Sequence, residues 1–372
     1  MADLHADERP ELEEEELELE EGDLEDFELE DELEDDVEEM EEFDPFADLS
    51  DEELDALVEA EGDAGAAYGL VAGDAPEGFR SGFVALVGRP NAGKSTLLNA
   101  CFGSKVAITS PVAQTTRRRM RAVVNREGFQ LVFVDTPGIH KPKDGLGSEL
   151  NRSALAELGD VDVVAFTIDA SVPIGRGDEW VAERVRASRA VKILVLTKAD
   201  KVDQARMLEQ LARARELADF DDEIVVSSTE GFNVEPFIET VANYLPEGPR
   251  WYPEGMDTDA DDATQVAEFV REKVLLRTRE EVPHSVGVVC DHLQRTKRLA
   301  RIHATVYVER EGQKGILIGK RGEMIKHIGT DARRDLERLF GTKVYLELDV
   351  RVRPGWRDDI NAIRAMGYAF EE

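Results

Sequence analysis

The chain has 372 residues, with 45 Lys+Arg against 81 Asp+Glu, a formal net charge of −36 and two cysteines. That length predicts two or three domains with ample core, and Cys101 and Cys290, far apart in sequence, read as small buried hydrophobes rather than a disulfide or metal pair. No apolar run approaches the roughly 18 residues needed to span a bilayer, and the acidic N-terminus does not read as a signal peptide, so a cytoplasmic protein is expected.

The negative charge is concentrated at one end. Residues 1–63 hold 34 of the acids and a single Arg, which makes that segment −33 and leaves −3 for everything after it. Isolated Leu, Phe and Val between like charges cannot build a core, so this stretch reads as a disordered acidic extension. Ser50 and Glu53, ahead of Leu54, Leu57 and Val58, form a capping-box pattern for one short helix within it. A sharper reading makes the extension an acidic mimic of RNA, competing for a basic surface elsewhere in the protein. Residues 64–80, rich in Gly and Ala, read as a linker.

From 81 to 246, short apolar runs alternate with amphipathic stretches. The runs are Phe83–Val87, Leu131–Val134, Val161–Ile168, Ile193–Leu196 and Ile224–Val226; helical patterns include Glu179–Arg189 and Arg206–Ala218. Strands alternating with helices predict an α/β domain whose mostly parallel sheet is covered on both faces. Its functional residues should then lie at the carboxyl ends of the strands.

After the first run comes Gly88-Arg89-Pro90-Asn91-Ala92-Gly93-Lys94-Ser95, which fits GxxxxGK[ST], and then Thr96 opens a helix. A strand, a glycine-rich turn and a helix N-terminus place successive backbone N–H groups around a di- or triphosphate. Lys94 adds a point charge on the outer phosphates, and the Ser95 hydroxyl becomes a Mg²⁺ ligand. About forty residues later Asp135-Thr136-Pro137-Gly138 ends a strand and is followed by Ile139. Asp135 is placed to hold Mg²⁺ and the Gly138 N–H to sense the γ-phosphate. Alone, these four residues would be a tight turn; their position after a strand gives them meaning.

Thr197-Lys198-Ala199-Asp200 follows the run Ile193–Leu196. A carboxylate there accepts two hydrogen bonds from the N1–H and 2-amino group of guanine, a pair adenine does not offer, so Asp200 selects GTP over ATP. The Lys198 stem would lie along the purine, and Ser227 and Ser228 would bring a backbone N–H to guanine O6. Between the phosphate loop and Asp135 lies Gln114-Thr115-Thr116-Arg117. A threonine there, Thr115 or Thr116, completes Mg²⁺ coordination only while the γ-phosphate is present, making residues about 104–120 a switch. The same basic stretch also reads as a loop for RNA or membrane, and the two roles are compatible.

Residues 247–264, with Pro249, Pro253 and an acidic cluster just after Pro246, read as a second linker, and 265–372 as a small α+β domain. It opens with a helix and has strand patterns at Ser285–Cys290, Ile302–Val308 and Val344–Val352. Ile325, Ile328, Ala332, Leu336 and Leu339 step at helical spacing before the last strand. Ahead of that helix, an apolar turn Gly315–Ile318 leads into Gly319-Lys320-Arg321-Gly322. With 29 glycines in 372 residues, about two GxxG matches arise by chance; the setting, in a helix-strand-strand-helix-helix-strand order, carries the weight. It resembles the type II KH module, whose glycines let RNA phosphates approach and which clamps about four nucleotides. Lys320, Arg321 and Lys326 would add charge, and residues 265–372 carry 21 bases against 17 acids.

The ordered series GRPNAGKS, QTTR, DTPG, TKAD and VSS, followed by a GxxG domain, resembles the Era family of bacterial GTPases over about residues 80–365. The resemblance implies a GTP-hydrolysing switch with Mg²⁺, in which Thr116 is the switch ligand and Lys94, Thr116, Gly138 and Asn91 serve hydrolysis. It also implies binding to single-stranded RNA near the 3′ end of small-subunit ribosomal RNA, a role in small-subunit assembly, a monomer, and peripheral contact at the inner face of the membrane. Ile139, where many GTPases carry a water-orienting Gln, has no polar atom; related GTPases with Asn at the position of Asn91 use K⁺ instead. Two positions depart from the pattern: Thr197 stands where most GTPases have Asn, altering the brace on the phosphate loop, and Ser228 where the family usually has Ala. Two other functions compete with this reading, an RNA-binding scaffold with a vestigial nucleotide pocket and a GTPase acting in tRNA modification.

Overall fold

Two sheets organise residues 75–369, the part of the chain described by the computed structural model apart from residues 113, 119, 140, 141 and 143. The acidic extension, its Ser50–Glu53 capping pattern and most of the first linker lie outside the described residues.

The first sheet contains β1 (Arg80–Val87), β2 (Met120–Asn125), β3 (Phe129–Asp135), β4 (Val163–Asp169), β5 (Val191–Thr197) and β6 (Asp222–Val225). Its order is β2-β3-β1-β4-β5-β6. Only β2 runs antiparallel. Five helices cover it: α1 (Lys94–Phe102), α2 (Gly145–Glu157), α3 (Arg176–Ala187), α4 (Gln204–Arg215) and α5 (Val234–Asn243). The central strands are apolar on both faces because each face has its own core. One gathers Val84, Leu86, Phe133 and Phe237; the other gathers Ala85, Val87, Phe166 and Val181. The sheet thus brings the carboxyl ends of β3, β1 and, one strand further on past β4, β5 to one edge, which places three separate motifs along it.

Strand β2 escapes the periodicity of the sequence, being short and flanked by arginines. It is an edge strand whose Ala122 and Val124 enter the core while Val123 faces away. What covers that edge is the second linker. Val123 N–H donates to Asp257 O (2.9 Å), and the fully buried Gln130 amide holds Trp251 N–H (2.7 Å) and the Tyr252 backbone. Residues read as a linker therefore lie pinned along β2, with Trp251, Tyr252 and Met256 packed on Phe83 and Val123.

The second sheet, β7 (Gly287–Arg295), β8 (Leu299–Val308) and β9 (Lys343–Val352), has the order β7-β8-β9, with β7 antiparallel and β9 parallel to β8. The helices of this domain are α6 (Asp262–Arg277), α7 (Val282–Ser285), α8 (Glu311–Ile318), α9 (Glu323–Phe340) and α10 (Ile360–Ala365). Ile328, Ala332 and Leu336 of α9 are buried against the sheet, but Leu339 is 37% exposed and the neighbouring Phe340 fills the core in its place. The apolar turn at Gly315–Ile318 is the last part of α8. Trp356, Met366 and Tyr368 form a separate cluster with Leu146 and Leu150 of α2.

Among the described residues no helix is long and apolar enough to cross a membrane. Both cysteines are free; Cys101 is buried, whereas Cys290 is only half-buried.

Candidate functional site

The loop 88–95 joins β1 to α1. Gly88 is required by space, since a Cβ would come within 2.3 Å of Thr167 Oγ1; Gly93, the N-cap of α1, has φ 91°. Asn91 also adopts a left-handed conformation, φ 65°, and its amide donates to Pro111 O at 2.9 Å, tying this loop to the segment before Gln114. The Thr197 hydroxyl donates to Ala92 O (2.7 Å), so the residue expected to alter the loop's brace supplies one of its own. Lys198, with φ 58°, reaches Asn91 O at 2.8 Å and Asp169 Oδ2 at 2.5 Å. The end of β5 therefore holds the phosphate loop from beneath at two points.

Lys94 lies inside the loop, 6% exposed, with Nζ donating to Arg89 O at 3.1 Å. Burial lowers its ammonium to about 8, against the attraction of Asp135. An anion bound beside it favours the charged form. Arg89, by contrast, turns away to pair with Asp178 at 2.9 Å.

Three oxygens converge beside Lys94. Ser95 Oγ lies 3.0 Å from Thr116 Oγ1 and donates to Asp135 Oδ2 at 3.0 Å, while Thr116 Oγ1 lies 3.4 Å from that same oxygen. Asp135 is 1% exposed, and burial raises its carboxyl to about 6 despite Lys94, Ser95 and Thr116. Its Oδ1 is buried with no hydrogen-bond partner. A buried, unpaired carboxylate oxygen is costly unless a cation or water meets it, and two hydroxyls with one carboxylate are the hard oxygen donors Mg²⁺ prefers. The donor set fits that ion. Thr115 plays no part in it: its hydroxyl bonds Ser110 Oγ (2.6 Å) and Val112 O (2.7 Å) within its own loop.

Gly138 packs against Pro90, whose backbone nitrogen would lie 2.8 Å from an added Cβ. Thr136 Oγ1 donates to Leu86 O (2.8 Å), Pro137 is buried, and Ile139 N–H donates to Gly88 O (3.2 Å) with its side chain 1% exposed in the core. Ile139 is thus a packing residue with no access to a reacting water. A cleft of about 320 Å³ opens over this assembly, lined by Lys94, Ser95, Thr96, Thr116, Gly138 and Lys198.

At the far end of β5, Ala199 N–H donates to Val226 O (3.2 Å), which brings the Asp200 turn against Ser227. Ser227 Oγ donates to Asp200 Oδ1 at 2.5 Å, and this bond is the main cause holding the carboxyl below its usual range. The backbone N–H of Ser227 is committed to Phe232 O (3.1 Å). Its hydroxyl, not its amide, faces the Asp200 carboxylate, a contact the sequence did not suggest.

What sequence reasoning missed altogether is how the segment before β2 is held. Arg271 of α6 donates to the Thr115 carbonyl. Arg117, 2% exposed, donates to the carbonyls of Val286, His284 (3.1 Å) and Pro283 (3.3 Å), and burial lowers its guanidinium to about 10. Lys105 pairs with Glu272 and with Asp335 (2.9 Å), and Glu272 Oε1 accepts from Thr109 N–H at 3.0 Å. Thr116 therefore sits between two residues anchored in the second domain. After Gly138, Asp144 pairs with Arg357 (2.9 Å) and Gly145 N–H donates to Asp358 (2.8 Å). No local pattern announces such contacts, since the partners are more than 150 residues apart.

The GxxG residues stand apart from the nucleotide cleft. Gly319 (φ 71°), Arg321 (φ 55°) and Gly322 (φ 78°) form a left-handed turn between α8 and α9, with Lys320 and Arg321 exposed. A Cβ on Gly319 would meet Met324 N at 2.9 Å, whereas one on Gly322 would meet nothing within 4 Å. Beyond this turn a groove of about 410 Å³ lies between α9 and β9, lined by Ile325, Lys326, Arg333, Tyr345, Leu346 and Leu348. An apolar floor with a basic wall suits bases below and phosphates above.

Comparison with known proteins agrees with both halves. A family model described as 50S ribosome-binding GTPase matches residues 83–198, and a KH domain model matches residues 281–357. The chain is 44% identical to GTPase Era of Staphylococcus epidermidis over 294 residues, 79% of this chain and 98% of that one. Among solved structures, Era in complex with MgGDPNP and nucleotides 1506–1542 of 16S ribosomal RNA is similar at TM-score 0.76 and 38% identity, covering 78% of this chain and all of the other. An Aquifex aeolicus Era variant bound to GDP and AlF4⁻ matches equally well, at TM-score 0.76 and 38% identity.

Proposed function

This chain belongs to the Era family of GTPases, and from that premise we propose that it is a GTP-driven switch that binds the 3′-terminal region of 16S ribosomal RNA during small-subunit assembly. It hydrolyses GTP, with Mg²⁺ as the metal, and binds ribosomal RNA through its KH domain. The observation that carries the switch is the position of Thr116, whose hydroxyl joins Ser95 and Asp135 while Arg271 and Arg117 tie its neighbours to the second domain.

In this reading Ser95, Thr116 and Asp135 hold the Mg²⁺, which when bound offsets charge between the β- and γ-phosphates. The loop amides and Lys94 hold the phosphates, and Gly138 offers its N–H to the γ-phosphate. Asp200 reads the base, with Ser228 left to contact guanine O6. Loss of the γ-phosphate releases Thr116, and the segment 104–118 then pulls differently on α6 and α7. Two sites sharing one bistable element are coupled reciprocally, commonly by 5- to 150-fold in affinity. RNA affinity measured with a non-hydrolysable GTP analogue and with GDP should therefore differ at least fivefold, and the difference should shrink in Arg271→Ala. Equal affinities in the two states of the parent protein would leave only a scaffold.

Water activation needs a group other than Ile139. We propose that Asn91 Oδ1 and carbonyls around Gln114 would hold a K⁺ beside the phosphates, which would supply the positive charge an arginine finger otherwise brings. The Asn91 amide nitrogen is already engaged with Pro111, which does not use Oδ1. Hydrolysis should run faster in KCl than in NaCl at equal ionic strength, with the difference lost in Asn91→Ala; equal rates in the two salts would sink the cation. The work of this protein belongs in the cytoplasm, where its ribosomal partner is assembled.

A further inference from the structure

The second domain carries more basic side chains than its GxxG turn accounts for, and their pairing divides them. Where α6 meets α9, the cations are neutralised: Arg277 and Arg334 pair with Asp331, and Lys273 and Arg338 with Asp335. That face is a solvated ion-pair lattice with little field to offer. Among the described residues several other cations have no carboxylate within pairing distance, and seven of them fall in two clusters. One is Lys320, Arg321, Lys326 and Arg333, along the GxxG turn and α9. The other is Lys297, Arg298 and Arg301, all exposed, in the hairpin joining β7 to β8.

The hairpin is held in a definite place. Thr296 closes it, its N–H donating to Leu299 O (2.9 Å) and its Oγ1 accepting from Leu299 N–H (3.1 Å). Arg295 at its base lies over the Phe340 ring, 4.8 Å from the centroid, and donates to Phe340 O at 3.2 Å. Phe340 is the last residue of α9, and the GxxG turn precedes its first. The hairpin thus lies at the C-terminal end of one helix of 18 residues, about 27 Å at 1.5 Å per residue, while the other group begins at its N-terminal end and reaches along it to Arg333. Beside that helix lies the α9–β9 groove, where Tyr345, 59% exposed, sits in register beside Arg301. A KH clamp covers about four nucleotides, and at the 3.4 Å spacing of stacked nucleotides those cover about 14 Å. That is roughly half of the helix.

We propose that the β7–β8 hairpin is a second RNA contact: Lys297, Arg298 and Arg301 hold backbone phosphates of nucleotides beyond the clamp, and Tyr345, in register with Arg301, stacks a base beside them. Unpaired cations that continue an aromatic groove suit a single strand, since stacking and phosphate contact together bind it without regard to sequence. An anionic lipid surface is the lesser fit, because the hairpin tip Arg295–Arg298 has no apolar residue to insert. The proposal rests on the RNA-binding reading above and is tested so that the two fail differently.

The triple variant Lys297→Ala, Arg298→Ala, Arg301→Ala, in the full chain, is titrated with a five-nucleotide and a fifteen-nucleotide RNA of the same core sequence. The long RNA should bind roughly tenfold more weakly, and its log–log salt slope should fall by about 2, at roughly 0.7 for each phosphate no longer neutralised. The short RNA should be unaffected, as should GTP hydrolysis without RNA, and a triple variant that exchanges Lys for Arg and Arg for Lys should restore long-RNA binding. Unchanged affinity and slope for the long RNA would overturn the proposal. So would equal losses on both RNAs, or a loss confined to anionic phospholipid vesicles. Failure of the parent protein to bind either RNA would remove the RNA reading itself.

Discussion

Asp200→Asn should lower GTP affinity by at least a hundredfold, ~2.8 kcal/mol, and raise affinity for xanthosine triphosphate. The reason lies in what each group presents. The Asp200 carboxylate is acceptor-only when ionised, and the Ser227 hydroxyl donating to it at 2.5 Å keeps it so. Guanine offers N1–H and a 2-amino group as a donor pair, and both find acceptors. An amide in the same place sets one donor against the 2-amino group, leaving unmatched polar groups on both sides, which is the situation in which discrimination between bases becomes steep. Xanthine, with a carbonyl at position 2, meets that amide as an acceptor. Ser227→Ala should produce a smaller version of the loss, since it frees the carboxylate to turn without removing it. Nucleotide titration by calorimetry settles the matter; unchanged GTP affinity in Asp200→Asn would place the base contact elsewhere.

Binding of RNA should collapse in Gly322→Asp while hydrolysis in its absence stays within about twofold of the parent. Gly322 has φ 78° and nothing within 4 Å of an added Cβ, so a side chain there projects into the space a phosphate must occupy. A carboxylate adds charge of the wrong sign to steric exclusion, and a loss of two orders of magnitude, ~2.8 kcal/mol, follows. Gly319→Asp is the less informative variant on its own, because its Cβ would press on Met324 N at 2.9 Å and strain the turn itself. The double variant should lose binding too, with circular dichroism distinguishing a folded protein from a damaged one. RNA affinity surviving in folded Gly322→Asp would refute the GxxG assignment. Hydrolysis lost along with binding would show that the two domains cannot be separated this way.

The motifs legible in the sequence are those whose geometry is local. A strand, a glycine turn and a helix start within some fifteen residues determine the phosphate loop, because Gly93 supplies the left-handed backbone that opens α1 and Gly88 carries no Cβ where the chain turns tightly. Asp135 and Asp200 were legible for a related reason: each follows an apolar run, and parallel strands deliver their carboxyl ends to one edge. Alternation in β8 and β9 and the helical stepping of Ile328, Ala332 and Leu336 are likewise local, since period and burial are bound together. The choice between Thr115 and Thr116 was different. Both are hydroxyls in one loop, and only the fold turns Thr116 toward Ser95 and Thr115 toward Ser110. Arg117 counted only as part of a basic stretch and Arg271 carried no signal of its own, yet both are buried, because carbonyls of α7 and of the Thr115 loop accept from them across the domain boundary. The unpaired state of Lys297, Arg298 and Arg301 is equally invisible in composition, where they count no differently from Arg277 or Arg338. Whether a charge is cancelled depends on which carboxylate packing brings within a few ångströms, and that distance has no signature along the chain.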